Sequence, residues 1–236
     1  MKIIVLTTET PHHIYFVRQI CAHFEISAIV QETNILNPRF NTFHPFEGKR
    51  NEYENEILLN EQSVQLSDFA KTIKSDSVND DESYNFILKL NPDIIITVGT
   101  GIIRKHLIDI CPDGFINLHG GDPEYYRGLD THMWAIYHKD FSQLIASLHR
   151  LNRKLDDGEI IQKVGIKLNK DAQIHQLRAM NTELCVKLTI SAIFDFENFG
   201  AFLSKPQHQI GRYYSFMPSE LKGICCKNFE RYVGNL

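Results

Sequence analysis

The chain lacks an excess of positive charge. It holds 25 Lys and Arg against 29 Asp and Glu, a net charge of -4. A dedicated nucleic-acid binder needs a basic face to displace counterions, so no nucleic-acid partner is expected. Long apolar runs are also missing. Nothing approaches the roughly 18 or more apolar residues of a membrane span, and the run from Ile3 to Leu6 is too short for a signal peptide. No membrane partner and a cytoplasmic location are therefore expected. Cysteine is sparse: Cys21, Cys111, Cys185, Cys225 and Cys226, an odd number with no C-x-x-C spacing. That pattern suits buried thiols in a reduced compartment and gives no reason to expect a metal. The adjacent Cys225 and Cys226 read as ordinary packing rather than as a vicinal disulfide. A G-x-G-x-x-G fingerprint is absent, since Gly99-Thr100-Gly101 is followed by Ile102-Ile103-Arg104. This disfavours a nicotinamide-dependent oxidoreductase. There is no internal repeat and no low-complexity tract.

What remains is a globular composition. The 236 residues are 43% hydrophobic and 23% charged, enough to bury a sizeable core. Lys2 to Thr7 is a β-branched and aliphatic run, the pattern of a strand buried on both faces. Thr10 and Pro11 then start a helix with an apolar stripe at Ile14, Val17, Cys21 and Phe24, Thr10 serving as cap. Ile26 to Val30 reads as the next strand, which completes a right-handed βαβ unit. Gln31 to about Asn60 is polar and aperiodic, a long surface excursion with some helix at Tyr53 to Leu59. Val64 to Ile73 has room for a short strand. A helix is expected over Ser83 to Leu90 with acids at its positive end, then strands at Asp93 to Val98 and Phe115 to His119. Gly99-Thr100-Gly101 turns the chain into a helix over Ile102 to Ile110. Further on come a helix-like segment (Leu129 to Tyr137) and strands at Leu144 to Leu148 and Ile160 to Leu168. A long helix over Asp171 to Phe199 follows, then a hairpin or extended arm at Gln207 to Phe216, and one or two short helices over Pro218 to Val233. The class is α/β: a Rossmann-like, mostly parallel sheet with helices on both faces and a small C-terminal helix/hairpin appendage.

In such sheets ligands sit at the carboxyl ends of the strands. Three edges qualify: Thr8 to His13, Gly99 to Ile103 and Asn117 to Asp122. Asn117 and His119 alternate on one strand and so share a face. Each also has a plainer reading, Asn117 as a turn cap and His119 as a satisfied core histidine. Asp156-Asp157-Gly158 is by itself a turn signal.

Taken as an ordered set, Asn117-x-His119, the loop through Pro123 to Tyr126-Arg127-Gly128, and Leu155-Asp156-x-Gly158 resemble the folate-dependent formyltransferases. The resemblance is good over residues 80 to 170 and looser over the N-terminal βαβ. It implies a formyltransferase catalytic domain at 1–170 and an extension at 171–236 for dimerisation and substrate contacts. It also implies N10-formyltetrahydrofolate as donor and a primary amine as acceptor. Asn117 would donate to the developing oxyanion. His119 would donate to that oxygen or take the amine proton, and Asp156 would orient His119 as an ionised carboxylate. Asp156 is preferred over Asp157 because it follows Leu155. The pterin would lie against Gly99, Thr100, Gly101, Ile102 and Ile103, the two isoleucines covering its face. His132 and His149 read as supporting or core residues. One departure stands out. The family commonly has Pro-Ser-Leu-Leu-Pro after the histidine, where this chain has Gly120-Gly121-Asp122-Pro123-Glu124. Asp122 then adds a charge beside the cleft.

Among acceptors, glycinamide ribonucleotide needs a glycine-rich phosphate loop after the first strand. Thr8-Glu9-Thr10-Pro11-His12-His13 has no glycine. The chain's length and acidic balance disfavour tRNA. A nucleotide-linked amino sugar for cell-surface polysaccharide remains, a dTDP-linked 4-amino- or 3-amino-dideoxyhexose. Thr10, His12, His13 and Asp122 are then acceptor-side candidates. Gly211-Arg212-Tyr213-Tyr214-Ser215-Phe216 is similar to C-terminal segments of that class, where aromatics such as Tyr213 and Tyr214 can stack on a nucleobase. The same aromatics also read as cover in a homodimer. The alternatives are another small amine acceptor, or a non-catalytic folate- or nucleotide-binding α/β module.

Overall fold

Unbroken β-branched runs form the centre of the molecule. In the computed structural model, which describes residues 1–34 and 36–236, β1 (Ile3–Thr7) is followed by α1 (Pro11–Cys21) and β2 (Ile26–Glu32). Next come α2 (Phe46–Leu59), β3 (Thr72–Ser75), α3 (Asp81–Leu90), β4 (Ile94–Val98), α4 (Lys105–Ile108) and β5 (Phe115–His119). The second half holds β6 (Tyr126–Gly128), α5 (Thr131–Tyr137), β7 (Ile145–Arg150), β8 (Ile160–Gly165), α6 (Leu177–Phe199), β9 (Arg212–Tyr214) and α7 (Ser219–Val233). Seven strands make one sheet in the order β3-β2-β1-β4-β5-β7-β8. The first five are parallel; β7 runs antiparallel to β5, and β8, antiparallel to β7, again runs with the first five. Among the described residues no helix is long and apolar enough to cross a membrane.

Period-two alternation divides the core. Ile3, Val5, Ile94, Ile96, Ile116 and Leu118 pack with α1 and α6 on one face. Ile4, Leu6, Ile95 and Phe115 pack with α3 and α4 on the other. Each strand residue thus chooses a layer by parity. α6 lies beyond residue 170, yet its Val186, Leu188, Ala192 and Ile193 belong to the same core as the sheet. A third cluster joins Ala135 and Ile136 of α5 to Cys225, Phe229 and Val233 of α7.

Several local expectations change. Asp80 caps α3 by accepting from Ser83 N–H at 2.8 Å, but Thr10 occupies the cap of α1 with no side-chain cap bond. Its hydroxyl meets His12 Nδ1 at 3.1 Å instead. The helix expected over 102–110 shrinks to α4. Glu32 Oε2 takes the Gly101 N–H at 2.7 Å, and Asn79 bonds both Ile102 O and Arg104 N–H. These side chains hold 101–104 extended. The short strand expected within 64–73 starts only at its end, as β3 from Thr72, after a 3-10 turn at Leu66–Asp68. α2 begins earlier than Tyr53 because its polar face is turned inward: Glu54 is fully buried against Arg178. Of the hairpin or extended arm expected over 207–216, the described residues form the arm and no antiparallel hairpin. β9 instead pairs parallel with β6, Tyr213 opposite Arg127, after Gln207 Nε2 has bonded the carbonyls of Asp156 and Gly158, both at 2.8 Å.

Phe115 is fully buried, whereas Ile102 is 68% exposed. Phe115→Ala should therefore cost about 3–5 kcal/mol, and Ile102→Ala no more than about 0.5. Denaturant unfolding of both variants checks this contrast.

Candidate active site

Strand order reverses between β1 and β4, so their carboxyl ends open a crevice. Two cavities of about 280 and 240 Å³ lie there. They meet at a shared wall of Gly99, Leu118, His119, Gly128 and Leu129. A group at this wall can touch ligands in both.

Asn117 and His119 share the parity of Phe115 and so point to one face of β5. The antiparallel register sets Asn117 opposite His149 and His119 opposite Ser147. Asn117 Nδ2 lies 3.0 Å from His149 Nε2. His149 Nδ1 lies 2.9 Å from the Arg150 carbonyl. A carbonyl only accepts, so Nδ1 carries the proton and Nε2 accepts from Asn117. One amide hydrogen of Asn117 is thereby committed. The other has no partner among the described residues, and Asn117 borders the second cavity.

Asp156 sits in the loop between β7 and β8 at φ +48°, a left-handed conformation that Asp tolerates better than most residues. Its Oδ2 accepts from Gly128 N–H at 2.8 Å. Its Oδ1 is 3.9 Å from His119 Nδ1 and 3.7 Å from His149 Nε2. Burial alone would raise this carboxyl. The neighbouring His119 and His149 rings and the Gly128 N–H that donates to it outweigh burial and hold Asp156 well below the usual range. It is an anion at neutral pH. His119 Nε2–H donates to the Tyr126 carbonyl at 2.9 Å, which leaves Nδ1 as the basic nitrogen, 3.9 Å from Asp156 Oδ1. The amide, the imidazole and the carboxylate converge as the sequence pattern requires. Asp157 does not join them: its carboxylate is near Asn152 and Lys154.

The remaining expected residues divide. Gly99, at φ +72°, leaves room for the His13 ring, which an added Cβ would strike at 2.1 Å. Thr100 bonds Thr97 through its hydroxyl at 2.6 Å. Residues 99–103 all border the second cavity, but the Gly101 N–H is taken by Glu32 and Ile103 is packed into the α3/α4 core. Only Ile102 offers an exposed apolar face. His12 and His13 border the first cavity, while Thr10 borders neither among the described residues. Asp122 also borders neither. It is buried, with its carboxylate 2.6 Å from Lys163 Nζ, and so its charge is neutralised away from the cleft. Tyr213 borders the second cavity rather than the first. Tyr214 is stacked between Tyr126 and Trp134, with centroids at 5.3 and 5.1 Å.

The residues that pattern reading missed are on the helices. Arg50 from α2, Arg178 and Asn181 from α6, and Lys222 from α7 wall the first cavity. Arg178 grips Glu54 through Nε at 2.6 Å and Nη2 at 2.5 Å. His12 Nδ1 lies 3.6 Å from the same carboxylate. Burial tends to raise Glu54, but His12 and Arg178 bring it down to about 2. His12 and His132 are each pushed down from 6.5 to about 4, mainly by burial.

Between those values the unfolded chain binds protons that the folded protein refuses. Stability is therefore complete above about pH 6.5 and falls as pH drops toward 4, by up to about 1.4 kcal/mol per pH unit for each histidine. Glu54, ionised in the fold but titrating near 4.5 when unfolded, adds to the same decline below about pH 5. Denaturation between about pH 7 and 4.5 should show the decline, and His132→Asn should flatten part of it. A flat wild-type profile would contradict buried neutral histidines.

Comparison with known proteins now bears on this geometry. The formyl transferase family model matches residues 1–193. Methionyl-tRNA formyltransferase of Borreliella afzelii is 29% identical over 153 residues, covering 63% of this chain and 47% of that protein. The chain spans about half or less of the length of the curated relatives it matches. Among solved structures, an N-formyltransferase from Helicobacter canadensis in complex with folinic acid and dTDP-3-aminofucose superposes with a TM-score of 0.62 at 17% identity, over 91% of this chain and 70% of that one. A 4-N formyltransferase from Francisella tularensis gives 0.61 at 17% identity, over 91% and 76%. At such identities the likeness is one of fold. With the family match extending from β1 into α6, this chain belongs to the formyl transferase family.

Proposed function

We propose that this protein is an N-formyltransferase. It moves a formyl group from N10-formyltetrahydrofolate to the amino group of a nucleotide-linked amino sugar, such as dTDP-4-amino-4,6-dideoxyglucose or its 3-amino isomer. The observation that carries this reading is the shared wall of the two cavities, where His119 stands with Asn117 and Asp156 behind it. Two reactants held on either side of one wall meet at its polar groups.

The second cavity suits a flat heteroaromatic donor. It has a backbone edge at 99–103, the exposed Ile102 and the ring of Tyr213. The donor supplies the formyl carbon. In the reaction a bond forms between the acceptor nitrogen and that carbon, the carbon–N10 bond breaks, and one proton passes from the amine to N10. Asn117 gives its uncommitted N–H to the formyl oxygen as negative charge develops. His149 keeps the amide from turning over. His119 Nδ1 takes the amine proton, and the ionised Asp156 stabilises the resulting imidazolium. The proton then passes to the leaving nitrogen through a bridging water. The first cavity, walled by α2, α6 and α7, takes the amine. The neighbour that holds dTDP-3-aminofucose supports a sugar acceptor, and the curated relatives keep other amine acceptors in view.

The test mixes the protein with N10-formyltetrahydrofolate and a panel of dTDP- and GDP-linked amino sugars, and follows tetrahydrofolate release by absorbance. One sugar should turn over. Asn117→Ala, His119→Ala and Asp156→Ala should each lower kcat about 100-fold or more, with donor affinity little changed. Donor binding without turnover on any amine would instead favour a non-catalytic binding module.

A further inference from the structure

Four imidazoles border the first cavity, those of His12, His13, His119 and His132. Each turns one nitrogen to an acceptor that does not border it. His12 Nδ1 faces the Glu54 carboxylate at 3.6 Å, and His13 Nδ1 the Thr8 carbonyl at 3.2 Å. His119 Nε2 faces the Tyr126 carbonyl at 2.9 Å, and His132 Nε2 the Ile145 carbonyl at 2.8 Å. Carbonyls and carboxylates only accept, so these four nitrogens carry the protons and the opposite four are bare. None of the bare nitrogens has a hydrogen-bond partner among the described residues, and none is among the sealed polar atoms of the fold. They are open to an occupant, and that occupant must bring N–H or O–H groups.

Two of the rings stand together at the reacting wall. His119 belongs to that wall, and His132 abuts it from α5. A Cβ at Gly120 would lie 3.6 Å from His132 Cε1, the carbon between the two ring nitrogens. A Cβ at Gly121 would meet Thr131 Oγ1 at 2.9 Å and His119 Nε2 at 3.0 Å. Thr131 also donates its hydroxyl to the Gly120 carbonyl. A serine at 121, as in the Pro-Ser-Leu-Leu-Pro pattern, would press Thr131 and the start of α5 away from the wall. Gly120-Gly121 thus lets His132 stand beside His119. His13 is turned onto Gly99 and is only 6% exposed, with His12 behind it at 4.0 Å between centroids.

Burial keeps His132 neutral, its value pushed down to about 4, with the nearby His119 adding to the effect. Its bare Nδ1 is then a pure acceptor throughout the neutral range. A primary amine brings two hydrogens to this corner. One is lost to His119 Nδ1 as the bond to the formyl carbon forms. The other stays on the nitrogen in the formamide and needs an acceptor before and after the transfer.

We propose that His132 Nδ1 is that acceptor: it holds the retained amine hydrogen, fixes the rotation of the amine about its C–N bond, and so aims the nitrogen lone pair at the formyl carbon. His132 touches the acceptor but exchanges no proton with it. The contribution is orientation, which governs how often a bound amine is placed to attack. This rests on the formyl-transfer reading, holds for any primary amine, and makes a secondary amine a poor acceptor.

The test pairs kinetics with imidazole NMR. His132→Leu removes the acceptor atom, whereas His132→Asn keeps an oxygen near the place of Nδ1. With N10-formyltetrahydrofolate and dTDP-4-amino-4,6-dideoxyglucose or its 3-amino isomer, His132→Leu should lower kcat about tenfold or more. His132→Asn should recover part of that loss, and tetrahydrofolate affinity measured by calorimetry should be unchanged in both. The N-methylated sugar has a single amine hydrogen, so it should turn over poorly in wild type and lose little further in His132→Leu. In protein labelled with nitrogen-15 at histidine, the Nδ1 resonance that disappears in His132→Asn should begin as a bare nitrogen. It should move upfield when the amino sugar is added to the tetrahydrofolate-bound protein. Equal losses on the primary and N-methylated sugars, or an Nδ1 resonance that does not respond to the sugar, would overturn the assignment. Tetrahydrofolate affinity that falls together with kcat would overturn it too, in favour of a structural role. Wild type that binds tetrahydrofolate but turns over no amine would remove the formyl-transfer reading, a result seen before any variant is made, and this assignment with it.

Discussion

The register of β7 against β5 is the constraint on which the site depends. Pairing Asn117 with His149 puts an amide and an imidazole on the same face of neighbouring antiparallel strands, close enough to bond directly. A slip of one residue would turn each side chain to the opposite layer, and the apolar α1/α6 face would then receive both polar groups. The buried Leu118 and Leu148, paired in the same register, oppose that slip. Core packing and site geometry are therefore held by the same pairing.

The carboxylate is placed by different means. Asp156 lies on a left-handed turn whose neighbour Gly158 passes so close to the Arg150 carbonyl that a Cβ would meet it at 1.6 Å. The turn is braced by Gln207 and its side chain by Gly128 N–H. Gly128 in turn belongs to the small parallel pair with β9. A C-terminal segment distant in sequence thus sets the position of Asp156. Because that carboxylate is ionised and almost fully buried, its pairing with His119, His149 and Gly128 offsets a desolvation cost that no single contact would cover.

The helical wall of the first cavity is built on charge rather than apolar stripes. α2 shows little amphipathic pattern because its buried face carries Glu54 beside Phe46 and Leu58. Glu54 is tolerated there because Arg178 pairs with it in two-point fashion and His12 stands behind. For the same reason the polar stretch from Gln31 to Asn60 read as a surface excursion. A buried ion pair and a solvated charge look alike until the partner, far along the chain on α6, is known.

The sequence by itself determined the layer architecture and which polar side chains share one face of β5. Strand parity is local, so Asn117 and His119 had to share a face of β5, and β1 and β4 had to be buried. The ordered motif marked Asp156 over Asp157, the residue that meets His119. Tertiary structure alone decided the partners: His149 for Asn117, Lys163 for Asp122, Glu32 for the Gly101 N–H, and β6 rather than a hairpin for β9. It also placed Tyr213 at the second cavity and Arg50 and Asn181 at the first. The physical reason is range. Parity and propensity act over a few residues, whereas hydrogen bonds and ion pairs are chosen by proximity in space, which only the folded chain defines.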